Sequence, residues 1–134
     1  MRHVCISAKV GASQKQSAMK NRERFFQMLA AINGVENKHH TLMPDIDAQL
    51  LLMRIAMAQH QNTPMNVTQA MNLRHIGSPT MLHRKINDLL GWGMVELVHE
   101  SGNRRTKYLQ PSQQAFDIID EMADAVAAID ETVD

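Results

Sequence analysis

The stretch Ser78-Pro79-Thr80-Met81-Leu82-His83-Arg84-Lys85-Ile86-Asn87 concentrates the side chains best suited to chemistry. Ser followed by Pro fits a helix start, Ser capping and Pro supplying the first helical residue. On that helix Leu82, Ile86, Leu89 and Leu90 fall on one side. The outer side then offers Ser78, Thr80, Met81, His83, Arg84, Lys85 and Asn87. Hydroxyls near a helix start, beside backbone N–H groups with no partner of their own, suit a phosphate. An arginine one turn further on can read a guanine edge or clamp a phosphate. A second cluster, Arg104, Arg105 and Lys107, lies within four residues and suits phosphate or minor-groove contact. Alone, either cluster is ordinary solvated surface. Their joint occurrence favours a polyanion.

Other chemistry is weakly signalled. The histidines are His3, His39, His40, His60, His75, His83 and His99. No HExxH motif or paired i, i+4 site with carboxylates appears, and adjacent His39 and His40 point apart, so no metal is expected. Cys5 is the only cysteine, which excludes an internal disulfide. Only Arg2, His3 and Lys9 stand near it, so it reads as an incidental thiol rather than a redox sensor. There is no Ser/His/Asp arrangement, no phosphate-cradling glycine loop and no carboxylate pair placed for acid–base work, so no catalysis and no cofactor are expected. Met28, Met53, Met57 and Met122 suit core filling first and a small apolar effector pocket second. Trp92 reads as an anchor beneath a hairpin.

The elements that hold the two clusters follow from spacing. Residues 1–11 lack periodicity and read as an arm. Residues 12–32 form a first helix with Met19, Phe26, Leu29 and Ile32 on one stripe, closed by Asn33-Gly34. Residues 35–43 read as a loop. Pro44-Asp45 opens a second helix that is apolar nearly all round from Leu50 to Ala58, and Asn62-Thr63-Pro64 stops it. Asn66-Val67-Thr68-Gln69 fits a capping box opening a short third helix. Ile76-Gly77 turns into the helix begun at Ser78. Gly91-Trp92-Gly93 breaks that helix, Met94 to Val98 suits a strand, and Ser101-Gly102-Asn103 is a hairpin tip. Arg104 to Gln110 is the return strand. Pro111-Ser112 opens a last helix with Phe116, Ile119, Met122, Val126, Ile129 and Val133 on one face.

Short helix, turn, longer helix and basic hairpin make a helix-turn-helix with a wing. A helix fits the major groove, and a hairpin reaches neighbouring phosphates. The segments Ser78–Ile86 and Leu89-Leu90-Gly91-Trp92-Gly93-Met94-Val95, with the Arg104-Arg105 wing, resemble the DNA-binding core of the MarR family of winged-helix regulators. The resemblance spans most of residues 45–130. It implies a homodimer with intertwined terminal helices, and recognition helices that enter successive major grooves of a pseudo-palindromic operator. Two features depart from the family pattern. Ser101-Gly102-Asn103 stands where the family has an Asp before its wing Arg, and Leu109-Gln110-Pro111-Ser112-Gln113 replaces the usual opening of the last helix.

The expectation is therefore a mainly α chain: an arm at 1–11, then one winged-helix domain at 12–134. Its DNA-binding core lies at 45–110, between dimerisation helices at 12–32 and 111–133. The 134 residues suffice for a core without disulfides, and 44% are apolar against 4% aromatic, so that core is aliphatic and thioether-rich. Formal charge is zero but unevenly spread. Residues 1–44 carry +5, 45–65 carry −1, 66–110 carry +3 and 111–134 carry −7. Neutrality argues against indiscriminate coating of nucleic acid, whereas a positive middle permits local binding. The longest apolar stretch is broken by Arg54, so no membrane partner is expected and a cytoplasmic setting is. The rival readings are a winged helix used only for protein–protein assembly, and a phage or plasmid DNA-maintenance factor.

Overall fold

The computed structural model describes residues 12–43, 45–100 and 102–132, and the side chains of all of these but 12–17, 103, 104 and 130–132. The arm at 1–11, Cys5 and His3 within it, Pro44, Ser101 and Val133 lie outside the described residues. The elements are α1 (Ala12–Lys38), α2 (Ile46–His60), α3 (Val67–Met71), α4 (Pro79–Gly91), β1 (Val95–Glu100), β2 (Asn103–Pro111) and α5 (Gln113–Thr132). They group into two compact units, one holding residues 12–37 and 121–132, the other residues 38–120.

In the first unit α1 continues six residues past the expected stop at Ile32 and absorbs the first four residues of the expected loop at 35–43. Gly34 stays helical. Its cost there is about 1 kcal/mol, and the turn that follows places Val35 in a buried position. Earlier on α1 Met19, Phe25, Phe26, Met28 and Leu29 are exposed, and Ile32 is half-buried. The Phe25 and Phe26 rings sit 5.7 Å apart. From α5 this unit takes the turns after Glu121, with Met122 buried and Val126 and Ile129 half-buried.

The second unit is the winged helix-turn-helix. Asp45, not Pro44, marks the start of α2: its Oδ1 accepts the Asp47 N–H at 3.2 Å and Ile46 is the first helical residue. The all-round apolar character of α2 resolves into a buried side, Ala48, Leu51, Leu52 and Ile55, and an exposed Ile46, Leu50 and Met57. Asn62 ends the segment in the left-handed region at φ 62°. The capping box on α3 forms as expected, Asn66 Oδ1 taking the Gln69 N–H at 2.8 Å and Gln69 Oε1 the Asn66 N–H at 2.9 Å. Helix α2 packs against α4 and β2, and α4 also packs against α3 and β1. Leu82, Ile86 and Leu89 of α4, Met94, and Leu109 of β2 complete the buried set.

The sheet has two antiparallel strands, paired from Val95–Pro111 to His99–Lys107. Two further links dock it. The Leu109 N–H donates to Met65 O at 2.8 Å, so β2 is held on its second edge. Gln59 Nε2 donates to Gln110 Oε1 at 3.2 Å and Gln110 Nε2 to Glu96 Oε1 at 3.0 Å, a polar chain from α2 across both strands.

Pro111 belongs to the end of β2 rather than to the last helix. A strand end tolerates its missing N–H. Ser112 takes the capping role: its Oγ accepts the Ala115 N–H at 3.2 Å and donates to Gly93 O at 2.6 Å. The buried positions on α5 are Ala115, Ile118 and Met122. Of the stripe expected there only Met122 is buried; Phe116, Ile119, Val126 and Ile129 are half-buried. Burial of Ala115 and Ile118 rotates the inward face by one residue.

Ser112 therefore ties the start of α5 to the turn after α4. Ser112→Ala should lower unfolding free energy by about 1–2 kcal/mol. Urea titration checks this, and an unchanged midpoint would show that the bonds to Gly93 and Ala115 add nothing.

Candidate nucleic-acid interface

Helix α4 divides sharply. Leu82, Ile86 and Leu89 are buried, whereas Ser78, Thr80, His83, Arg84 and Asn87 are exposed. The Ser78 side chain is already engaged: its Oγ accepts the Met81 N–H at 3.2 Å, which leaves its hydroxyl proton to donate outward. Met81 is only half-exposed and lies over Gly77; a methyl group built on Gly77 would overlap Met81 Cε. Glycine at that turn is thus the space into which Met81 folds.

Lys85 departs from the expected outer face. Its side chain is 16% exposed and its ammonium pairs with the Asp45 carboxylate at the start of α2. A helix advances about 100° per residue, so Lys85 falls on the flank between the buried stripe and the open side, within reach of α2. Its neighbour Arg84 points outward.

On the wing, Arg105 and Lys107 of β2 are exposed. Arg104 lies on the same strand, its side chain outside those described. The pairing shifts from His99–Lys107 to Glu100–Asn103, so the return strand carries three more residues than the first. Arg104, Arg105 and Thr106 are those three. Such an irregularity re-aims side chains near a tip, and Gly102 closes it at φ 84°.

Arg74 is exposed in the turn between α3 and α4 and adds a cation to the surface of the helix-turn-helix. Its only signal is a single basic residue in a turn, too common to single out. Asp45 is legible as an acid at a helix start, but its partner Lys85, forty residues on, is not. Among the methionines, Met28 and Met57 are exposed and do not fill the core, whereas Met122 is buried. Trp92 is half-buried and caps the C-terminus of α4, its N–H donating to Asp88 O at 2.8 Å. Among the described residues no three His, Cys, Asp or Glu side chains are grouped to hold a metal. No described helix is long and apolar enough to cross a membrane.

No protein-family model matches the chain, and no curated protein matches it in sequence. Solved structures do match in shape. The transcriptional regulator Tm0710 from Thermotoga maritima is 11% identical, with a TM-score of 0.60 over 90% of this chain and 78% of its own. MepR, a transcription regulator of the Staphylococcus aureus multidrug efflux pump MepA, is 9% identical, with a TM-score of 0.51 over 83% of this chain and 80% of its own. MarR is 14% identical, with a TM-score of 0.50 over 92% of this chain and 81% of its own. At such identities the likeness is one of backbone plan, and the chain has the winged helix-turn-helix fold of these MarR-like regulators.

Proposed function

We propose that the chain is a transcriptional regulator that binds double-stranded DNA as a homodimer on a pseudo-palindromic operator. The observation that carries this reading is the two-sided character of α4: one face locked in the core, the other presenting Ser78, Thr80, His83, Arg84 and Asn87 outward. In this role α4 lies in the major groove and Arg84 reads a base edge. Arg104, Arg105 and Lys107 on the wing, and Arg74 in the turn, meet phosphates. The described functions of the structural neighbours as transcription regulators support the same reading. Charge supports it too: residues 66–110 are net positive, and the acidic groups gather at 111–134.

The homodimer rests on α1. An isolated chain that leaves Met19, Phe25, Phe26, Met28 and Leu29 exposed on one helix carries apolar surface suited to a second copy. Basic α1, with Lys15, Lys20, Arg22 and Arg24, and acidic α5, with Asp117, Asp120, Glu121 and Asp124, give such a pairing a preferred orientation. Two-fold symmetry would then set the two α4 helices about 34 Å apart, one DNA turn.

Anisotropy titration of labelled duplexes tests the DNA reading. Arg84→Ala should weaken binding to a duplex selected from a random pool by about tenfold more than binding to a scrambled duplex. Equal weakening on both reassigns Arg84 to the phosphates. Replacing Arg105 and Lys107 together by Ala should weaken both duplexes alike and lower the salt slope by about one unit for each phosphate that is no longer neutralised. No binding to any duplex at low salt overturns the reading and favours an assembly module. Light scattering at micromolar concentration should give twice the chain mass of 15.1 kDa, and Phe26→Glu should return the monomer. A monomer in the unsubstituted protein removes the palindromic-operator model.

A further inference from the structure

The Asp45 carboxylate serves two helices at once. Its Oδ1 caps α2 through the Asp47 N–H, and its Oδ2 meets the Lys85 ammonium on α4. Oδ2 has no hydrogen-bonding partner besides that ammonium and is shielded from solvent. Lys85 itself is largely covered. A carboxylate oxygen shielded from water needs its counter-charge, so this pair is more directional than one in which both groups are fully solvated.

The location of the pair gives it a role. Dispersion and apolar burial hold Leu82, Ile86 and Leu89 inward, but such forces are non-directional and tolerate a small roll of the helix about its axis. Reading a base edge does not: a bidentate hydrogen bond needs the arginine head placed within a fraction of an ångström. Lys85 is next to Arg84 in sequence and lies one turn from both Leu82 and Leu89. A directional tie at that flank stops the roll that the apolar stripe allows. Its other end is anchored at the capped, and therefore rigid, first turn of α2.

We propose that Asp45 and Lys85 are positioning residues for sequence discrimination: their pair sets the rotation of α4 and thereby aims Arg84 and its exposed neighbours, with neither residue touching the nucleic acid. This rests on the DNA-binding reading above, and deepens it by moving Lys85 from the DNA-facing surface to the scaffold.

The test uses the full chain, a duplex selected by the unsubstituted protein from a random pool, and a scrambled duplex of equal composition. The double variant Asp45→Asn/Lys85→Met keeps an N-cap side chain and leaves no orphan charge, so it folds with a thermal midpoint close to that of the parent. Its affinity for the scrambled duplex should stay within about twofold, while the ratio between the two duplexes falls about tenfold. The single variant Lys85→Arg, which keeps the charge opposite Asp45, should retain most of the parent's ratio, so that the loss in the double variant is traced to the ion pair. The single variant Asp45→Asn provides a second route if the double variant fails to fold. Should the ratio persist in the variants that lose the pair while Arg84→Ala abolishes it, the positioning role is wrong and the DNA reading stands. Should the affinity for both duplexes fall together, Lys85 binds phosphate and the positioning role is again wrong. An unsubstituted protein that discriminates among no duplexes overturns both.

Discussion

One constraint organises the second unit: α4 must bury a single stripe while keeping the opposite side open. Leu82, Ile86 and Leu89 are essentially sealed from water. At about 1.5–3 kcal/mol for each large aliphatic side chain buried, that face outweighs any preference of the outer side chains. Every neighbouring element supplies part of the wall. Helix α2 brings Leu51, Leu52 and Ile55, the hairpin brings Val95 and Leu109, and Ala70 comes from α3. A largely polar outward face then follows from amphipathicity alone, and it holds the groups able to hydrogen-bond.

Apolar packing holds α4 in place without aiming it. Direction comes from a few polar interactions at the ends of elements. Asp45 joins the start of α2 to the flank of α4. Asn66 and Gln69 close the first turn of α3 on itself. Ser112 joins α5 to the turn at Gly93, where φ of 74° makes glycine the fitting residue. Gln59, Gln110 and Glu96 link α2 to both strands. Each of these is worth little beside the core, but each has a distance and an angle, which non-directional apolar packing lacks.

Charge is arranged on the same plan. Exposed Arg74, Arg84, Arg105 and Lys107 lie on the turn, helix and strand of one structural motif, while the acidic residues of α5 are kept to the end of the chain. That motif is not the only positive segment: residues 1–44 carry +5 and residues 66–110 carry +3 in a chain of zero net charge. Without a net charge overall, recognition of a polyanion would depend on local fit more than on bulk electrostatics.

Much of this was legible without coordinates, because it depends on short-range chemistry. The capping box at Asn66, the Ser78-Pro79 start, the stripe of α4 and the glycine turn at 102 are each set by residues within one or two turns of each other, and all appear as expected except that Leu90 of the stripe is only half-buried. Local rules failed where a distant partner outvoted them. Gly34 has the local chemistry of a helix stop, yet α1 runs through it and Val35 beyond is buried. Pro111 has that of a helix start, yet its pairing with Val95 makes it the end of a strand. Lys85 was one cation among several on a helix until tertiary packing brought the carboxylate of Asp45 to it. Which helices exist and which side of α4 is apolar can be read along the chain, since periodicity is a local property. Which polar side chains on that helix stay open to a partner emerges with packing, since it depends on what approaches from forty residues away.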